Sequence, residues 1–451
     1  MQFSIRRPGR ALTALVAAAL AIGLTATLAV SASAKSHHRT GKHGDHHGHG
    51  CATISNPATW GTLSDTANPQ AGKTVSLYTL DSGNGLKVVI SNYGGIVQSI
   101  WAPDRWGRQA NVALGFPATP AGLLQYETMY NNPPAGGSGN AYFGAIIGRY
   151  ANRIAGAEFT LNNTLYTLGF PQPPSPNPNN GPNLLHGGPD SYNNQVWTAS
   201  TPHTGCNSAS LVLKYTDPNG KNGFPGTVDN TVTYTITRDN ALRIDYLATT
   251  DAPTVINLTN HSYFNLAGEG SGDVYGQLMQ INANSFTPTD ANLIPTGIAP
   301  VAGTPFDFTS LKPIGRDIRD ATAPQGNQLV LAHGYDHNWV LNGGGLNKPA
   351  VVSIDPVSGR VLTTYTTEPG VQFYTGNFLV GDWVGTSGHT YRQSDGFTLE
   401  TQHFPNSPND PRFPSTTLNP GTPFTSATIY KFTTTHRGDS HHRGDSHHRS
   451  R

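Results

Sequence analysis

The sequence predicts an all-β protein, a large antiparallel β-sandwich, on three observations. Apolar and polar residues alternate in short runs, turn signals separate those runs closely, and no long capped run of period 3.6 interrupts them. Composition agrees: 51 Gly and 34 Pro stand among 451 residues. Charged residues make up 12% of the chain, about half the usual share.

The ends of the chain read as processing and tail segments. Residues 1–34 open with Arg6, Arg7 and Arg10 and continue with an apolar run from Ala11 to Val30. They close on Ser31-Ala32-Ser33-Ala34, small residues in the A-x-A arrangement of a signal-peptidase site. This predicts a signal peptide cleaved after Ala34, export, and an extracellular location. The run is long enough to be an uncleaved anchor, but the cleavage site and the polar tract after it favour removal. No second apolar run approaches spanning length, so no membrane association is expected of the mature chain. Residues 35–56 form a histidine-rich linker with His37, His38, His43, His46, His47 and His49. Residues 436–451 repeat a unit containing Arg437-Gly438-Asp439-Ser440 as Arg443-Gly444-Asp445-Ser446. Both tracts lack the apolar residues that would offset ordering entropy and are expected to be disordered.

Residues 57–435 are the body, expected to fold as one domain. Val75 to Leu80 and Leu86 to Ile90 alternate around the turn Asp81-Ser82-Gly83-Asn84-Gly85. Thr231 to Thr237 and Ala241 to Leu247 flank Arg238-Asp239-Asn240, a hairpin signal. Two loops rich in Pro, Gly and Asn, Asn131–Asn140 and Pro171–Pro182, interrupt the pattern and suit the rim of a binding site. The termini hold ten of the 28 basic and three of the 27 acidic residues, leaving 18 and 24 in the body. Such a body offers no basic patch for nucleic acid. Cys51 and Cys206 are the two cysteines; in an exported chain they are expected to pair, and their spacing fits no zinc site.

The chemistry concentrates in polar clusters that no strand needs for packing. They are Gly148-Arg149-Tyr150-Ala151-Asn152-Arg153-Ile154, Leu185-His186-Gly187-Gly188 and Asn257-Leu258-Thr259-Asn260-His261-Ser262-Tyr263-Phe264-Asn265-Leu266. Later come Gly334-Tyr335-Asp336-His337-Asn338, Gly370-Val371-Gln372-Phe373-Tyr374-Thr375-Gly376-Asn377 and Leu399-Glu400-Thr401-Gln402-His403-Phe404-Pro405. Each has a structural reading: His186 as a turn cap, Arg153 as an ion-pair partner, Asp336 as the orienter of His337. Together they supply the groups needed to grip a polyhydroxylated ligand and move protons on it.

In this order, with Asn92-Tyr93-Gly94-Gly95 and Phe224-Pro225-Gly226, these motifs resemble the galactose mutarotase (aldose 1-epimerase) family from about residue 75 to 432. The resemblance implies an antiparallel supersandwich and an isomerase exchanging the α and β anomers of a free aldohexose; with the signal peptide, the isomerase is expected to be secreted. By position it makes Glu400 the general base, His261 the general acid, and Asn152, Arg153, His186, Asp336 and Gln372 sugar-binding residues. It implies no cofactor and no metal. The loop before Tyr142, the Pro171–Pro182 segment and the stretch from Pro189 to Asn194 depart from the family pattern, which bears on sugar preference. Glu400, if buried, would gain basicity, and the expected pH profile has its acid limb set by Glu400 and its alkaline limb by His261. Two rivals are a glycoside hydrolase using Asp336 and Glu400 and a non-catalytic sugar-binding or adhesion protein displaying the Arg-Gly-Asp repeats.

Overall fold

The computed structural model describes residues 50–169, 183–201 and 204–435. The expected signal peptide, the histidines of both tracts, the Arg-Gly-Asp repeats, His203 and the Pro171–Pro182 segment lie outside the described residues.

Both expected hairpins form. Thr74–Asp81 pairs antiparallel with Lys87–Ser91, Leu80 opposite Val88. Val228–Thr237 pairs with Ala241–Thr250, Val232 opposite Tyr246. Alternation decides the faces: Val228, Asn230, Val232, Tyr234 and Ile236 are buried, and the residues between them are not.

The second hairpin sits in a ten-stranded antiparallel sheet whose centre runs Ser208–Asp217, Val228–Thr237, Ala241–Thr250, Phe424–Thr434, Arg360–Thr366, Val351–Ile354. The first hairpin belongs to a six-stranded sheet. A second six-stranded sheet is ordered Tyr263–Phe264, Phe397–Gln402, Gly370–Tyr374, Asp336–Leu341, Ala283–Thr287, Ala299–Pro300. Leu211, Val232 and Ile244 of the large sheet share one hydrophobic cluster with Ile90 and Ile100 of the first smaller sheet and Trp339, Phe373 and Leu399 of the second. Each such side chain, fully buried, contributes about 1.5–3 kcal/mol, so this shared core holds the layers together. The sandwich is the fold the alternation predicts.

One element departs from that reading. Pro120–Asn131 is an α-helix. The Thr119 side chain accepts the Gly122 N–H at 3.2 Å, and Pro120 opens the first turn. Leu123, Tyr126, Glu127 and Tyr130 are its buried stripe. A carboxylate in that stripe hides the period: Glu127 is 1% exposed, and accepts the backbone N–H groups of Ser64 at 2.9 Å and Asp65 at 3.0 Å.

Cys51 and Cys206 form a disulfide. Beside it the Ala52 N–H donates to the Cys206 carbonyl at 3.1 Å, fastening the N-terminal arm to the turn that precedes Ser208–Asp217. Among the described residues no helix is long and apolar enough to cross a membrane.

Candidate active site

The second six-stranded sheet supplies the floor of the site. Along Phe397–Gln402 the residues Phe397 and Leu399 enter the core, so Thr398, Glu400 and Gln402 face the other way. Gln372 lies opposite Glu400, Asn338 opposite Gln372, and Asp336 opposite Tyr374. Register therefore puts Glu400, Gln372 and Asp336 on one face of three adjacent strands. Gln372 Nε2 donates to Asp336 Oδ1 at 2.7 Å, and Arg153 Nη1 stands 3.9 Å from Asp336 Oδ2.

Turns supply the remaining residues. The short strand Ile146–Ile147 pairs with Thr259–Asn260, and the ladder continues as His261 N–H to Ala145 O at 2.9 Å and Gly144 N–H to His261 O at 3.0 Å. This sets His261 Nε2 3.5 Å from Glu400 Oε1. His186 adopts φ 52° and Asn152 φ 61°, both in the left-handed region, a strain of order 1–3 kcal/mol each that the surroundings must sustain. The turn after His186 requires glycine: a Cβ on Gly187, at φ 84°, would lie 2.3 Å from the Gly148 carbonyl oxygen. The Asn152 N–H donates to His186 Nδ1 at 3.1 Å, and Asn152 Oδ1 accepts the Arg153 N–H at 2.9 Å. Asn152 thus spends its carbonyl oxygen on the turn.

All seven residues named from the sequence are at least nine-tenths buried and converge here. Burial, with the nearby Asp336 charge, raises the Glu400 pKa to about 8 against the opposing hydrogen bond from Thr398 at 3.0 Å. Burial lowers His261 to about 3 and holds His186 well below its ordinary value. Burial also raises Asp336, opposed by Arg153 and the Gln372 bond. The 3.5 Å contact between His261 and Glu400 therefore brings together, in the free site, a neutral imidazole and a protonated carboxyl. Burial acts oppositely on acid and base; with these shifts Glu400 would govern the alkaline side of a pH profile and His261 the acid side, the opposite of the order expected from the sequence.

Ligand atoms of His186, His261 and Glu400 lie within 4.8 Å of one another, the one such trio among the described residues. His186 suits no cation there. Its Nδ1 already accepts the Asn152 N–H, which leaves the ring proton on Nε2 as a fixed donor. Glu400 Oε2, His261 Nδ1, Gln372 Oε1 and Arg153 Nε have no protein partner, so the site retains capacity for hydroxyl groups.

The structure also sorts the rest of the motifs. Arg149 is structural, its Nε 2.7 Å from Asp217 Oδ2 and its Nη1 donating to the Pro225 carbonyl at 2.7 Å. His337 does not take up the Asp336 carboxylate; its Nδ1 accepts the Asp336 N–H at 3.1 Å and its Nε2 meets Gln328 Oε1 at 3.2 Å. His403 pairs with Glu368 at 2.6 Å. The sequence reading missed Tyr142, whose ring centroid lies 4.6 Å from that of His186 and 5.6 Å from that of His261. Its place just before Phe143-Gly144, at the end of a long loop, was the available signal.

The chain matches the aldose 1-epimerase family over residues 76–431. It is 39% identical to Sus scrofa galactose mutarotase over 351 residues, covering 78% of this chain and 92% of that one. Against Escherichia coli aldose 1-epimerase it is 35% identical over 345 residues, covering 76% and 90%. Among solved structures, galactose 1-epimerase from Lactobacillus acidophilus superposes with a TM-score of 0.68 at 26% identity, covering 86% of this chain and 100% of that one. The sandwich, the match across most of its length and the likeness to nearly whole relatives agree: the chain belongs to the aldose 1-epimerase family of isomerases.

Proposed function

We propose that the protein is an exported mutarotase that exchanges the α and β anomers of free aldohexoses of the glucose and galactose type. Glu400 and His261 are its general base and general acid, acting from the one-proton form of the pair in which the proton sits on His261 and Glu400 is ionised. The observation that carries this reading is the buried contact of 3.5 Å between His261 Nε2 and Glu400 Oε1. A cyclic aldose bears its hydroxyl oxygen O1 and its ring oxygen O5 on the same carbon. One side chain takes the O1 proton while the other gives a proton to O5; the C1–O5 bond breaks and C1=O1 forms. Opening from one partition of the shared proton leaves the other partition. After rotation about C1–C2, closure runs the transfer backwards on the opposite aldehyde face. No electrons change hands. His186 as an Nε2–H donor, the Arg153 guanidinium, and the Asp336–Gln372 pair hold the remaining hydroxyls, and Asn152 supports the turn that aims His186.

Support for the sugar class comes from the relatives' names, galactose mutarotase and aldose 1-epimerase. Support for export comes from residues 1–34 and from the disulfide, which suits an oxidising compartment. The test is polarimetry on freshly dissolved α-D-glucose and α-D-galactose with purified protein. The reading expects both to relax to equilibrium rotation faster than in buffer alone. No acceleration with either sugar, or release of nitrophenol from nitrophenyl glycosides, would refute it.

A further inference from the structure

Four aromatic rings meet at the proton-transfer centre: those of the named His186 and His261, that of Tyr142, and that of Tyr263, whose centroid lies 5.2 Å from that of His261. The His186 and His261 centroids are 5.1 Å apart with the rings perpendicular at 88°. The Tyr142 ring closes the triangle, edge-on to His186 at 65° and tilted 41° against His261. Tyr142 is also only partly buried where both histidines are buried.

The backbone is built to keep it there. Tyr142 has φ 53°, a left-handed conformation uncommon for an aromatic residue. Asn140 Oδ1 accepts the Tyr142 N–H at 2.9 Å, and the Tyr142 carbonyl accepts the Ala145 N–H at 3.0 Å. The preceding loop is pinned to the hairpin Val380–Val384 and Thr390–Arg392: Asp382 Oδ2 accepts the Ser138 N–H at 2.7 Å, and Trp383 Nε1 donates to the Gly139 carbonyl at 3.3 Å. Strain held by this many contacts at a site is a mark of a positioned side chain.

We propose that Tyr142 is a positioning residue for proton transfer: its ring fixes the planes of His261 and His186 and shields the His261 imidazole from water. The inference rests on the epimerase reading above. The ring does this work and the hydroxyl does not. The titratable groups facing His261 are Glu400 from the sheet, His186 from its turn, Tyr263 from its own segment, and Tyr142 itself. Of these Tyr142 alone is not fully buried, so removing its ring is what would admit water.

The test measures mutarotation of α-D-galactose and the pH dependence of kcat/KM for wild type, Tyr142→Phe, Tyr142→Leu and Tyr142→Ala. Wild-type turnover in the same series separates failure of this inference from failure of the epimerase reading. The expected result is that Tyr142→Phe loses no more than about fivefold. Tyr142→Ala and Tyr142→Leu lose on the order of 10²-fold in kcat, as a misplaced transfer geometry does. In those two variants the acid limb moves up toward an ordinary histidine value. Tyr142→Leu keeps the volume filled, so its loss reads the ring rather than a collapsed loop. The proposal is overturned if Tyr142→Leu keeps kcat within threefold with its acid limb unmoved. It is equally overturned if Tyr142→Phe falls as far as Tyr142→Ala.

Discussion

Glu400 pays for its reactivity in stability. Its folded pKa of about 8 lies above its ordinary 4.5, so the neutral carboxyl is favoured in the fold and ionisation is opposed. Stability on this account is full below about pH 4.5 and is lost as pH rises toward 8, at a limiting slope of about 1.4 kcal/mol per pH unit. Glu400→Gln removes that titration. Calorimetric Tm measured from pH 5 to 9 should therefore show the variant gaining on wild type up to about pH 8 and levelling off above it; parallel curves throughout would contradict the assignment. A second expectation concerns activity. The one-proton state of the pair spans the interval between the His261 and Glu400 pKa values, so kcat/KM should be bell-shaped with its alkaline limb near 8. Because the Asp336 charge helps to raise Glu400, Asp336→Asn should move that limb to lower pH while also weakening sugar binding. An unmoved limb would disconnect Glu400 from it, although coupling spreads each limb over both groups. The sequence made Glu400 and His261 legible through their motifs. It could not reveal the order of their pKa values, because that order comes from burial, which three-dimensional packing alone creates.

At the scale of elements, strand and turn were readable wherever alternation is plain, as in Val228–Thr237. Pro120–Asn131 was not, since Glu127 sits in its apolar stripe for the sake of the Ser64 and Asp65 amides, a partner 62 residues away. Tyr142 escaped for a similar reason: its neighbours His186 and His261 come from distant turns. The disulfide is a separable element. Cys51 and Cys206 enclose 155 residues, and in the chain-entropy treatment closing such a loop stabilises by about 5 kcal/mol. Replacing both cysteines by serine should lower Tm by several degrees and leave kcat unaltered, because neither touches the site. A variant that melts like wild type would show that the cross-link adds nothing to the contacts around it.

For the whole molecule, the sandwich and the histidine-rich ends divide the work. Every group assigned to proton transfer and sugar binding lies between residues 142 and 400. The imidazoles of the tails are expected to bind Ni²⁺ or Zn²⁺ only loosely and outside the mechanism. Deleting residues 35–50 and 436–451 should leave turnover unchanged, and chelators should not affect either form. An activity that disappears with the tails, or with a chelator, would return them to the mechanism. Beneath this stands one claim, that a buried carboxyl and imidazole exchange protons with the two oxygens of the anomeric carbon. The most direct measurement is the polarimetric rate for α-D-galactose with Glu400→Gln beside wild type at equal concentration, folded state verified by circular dichroism. The account predicts a loss of about 10²- to 10⁴-fold in kcat, the usual worth of a positioned proton transfer. A Glu400→Gln protein that still relaxes the sugar near the wild-type rate, well above the buffer background, would contradict it.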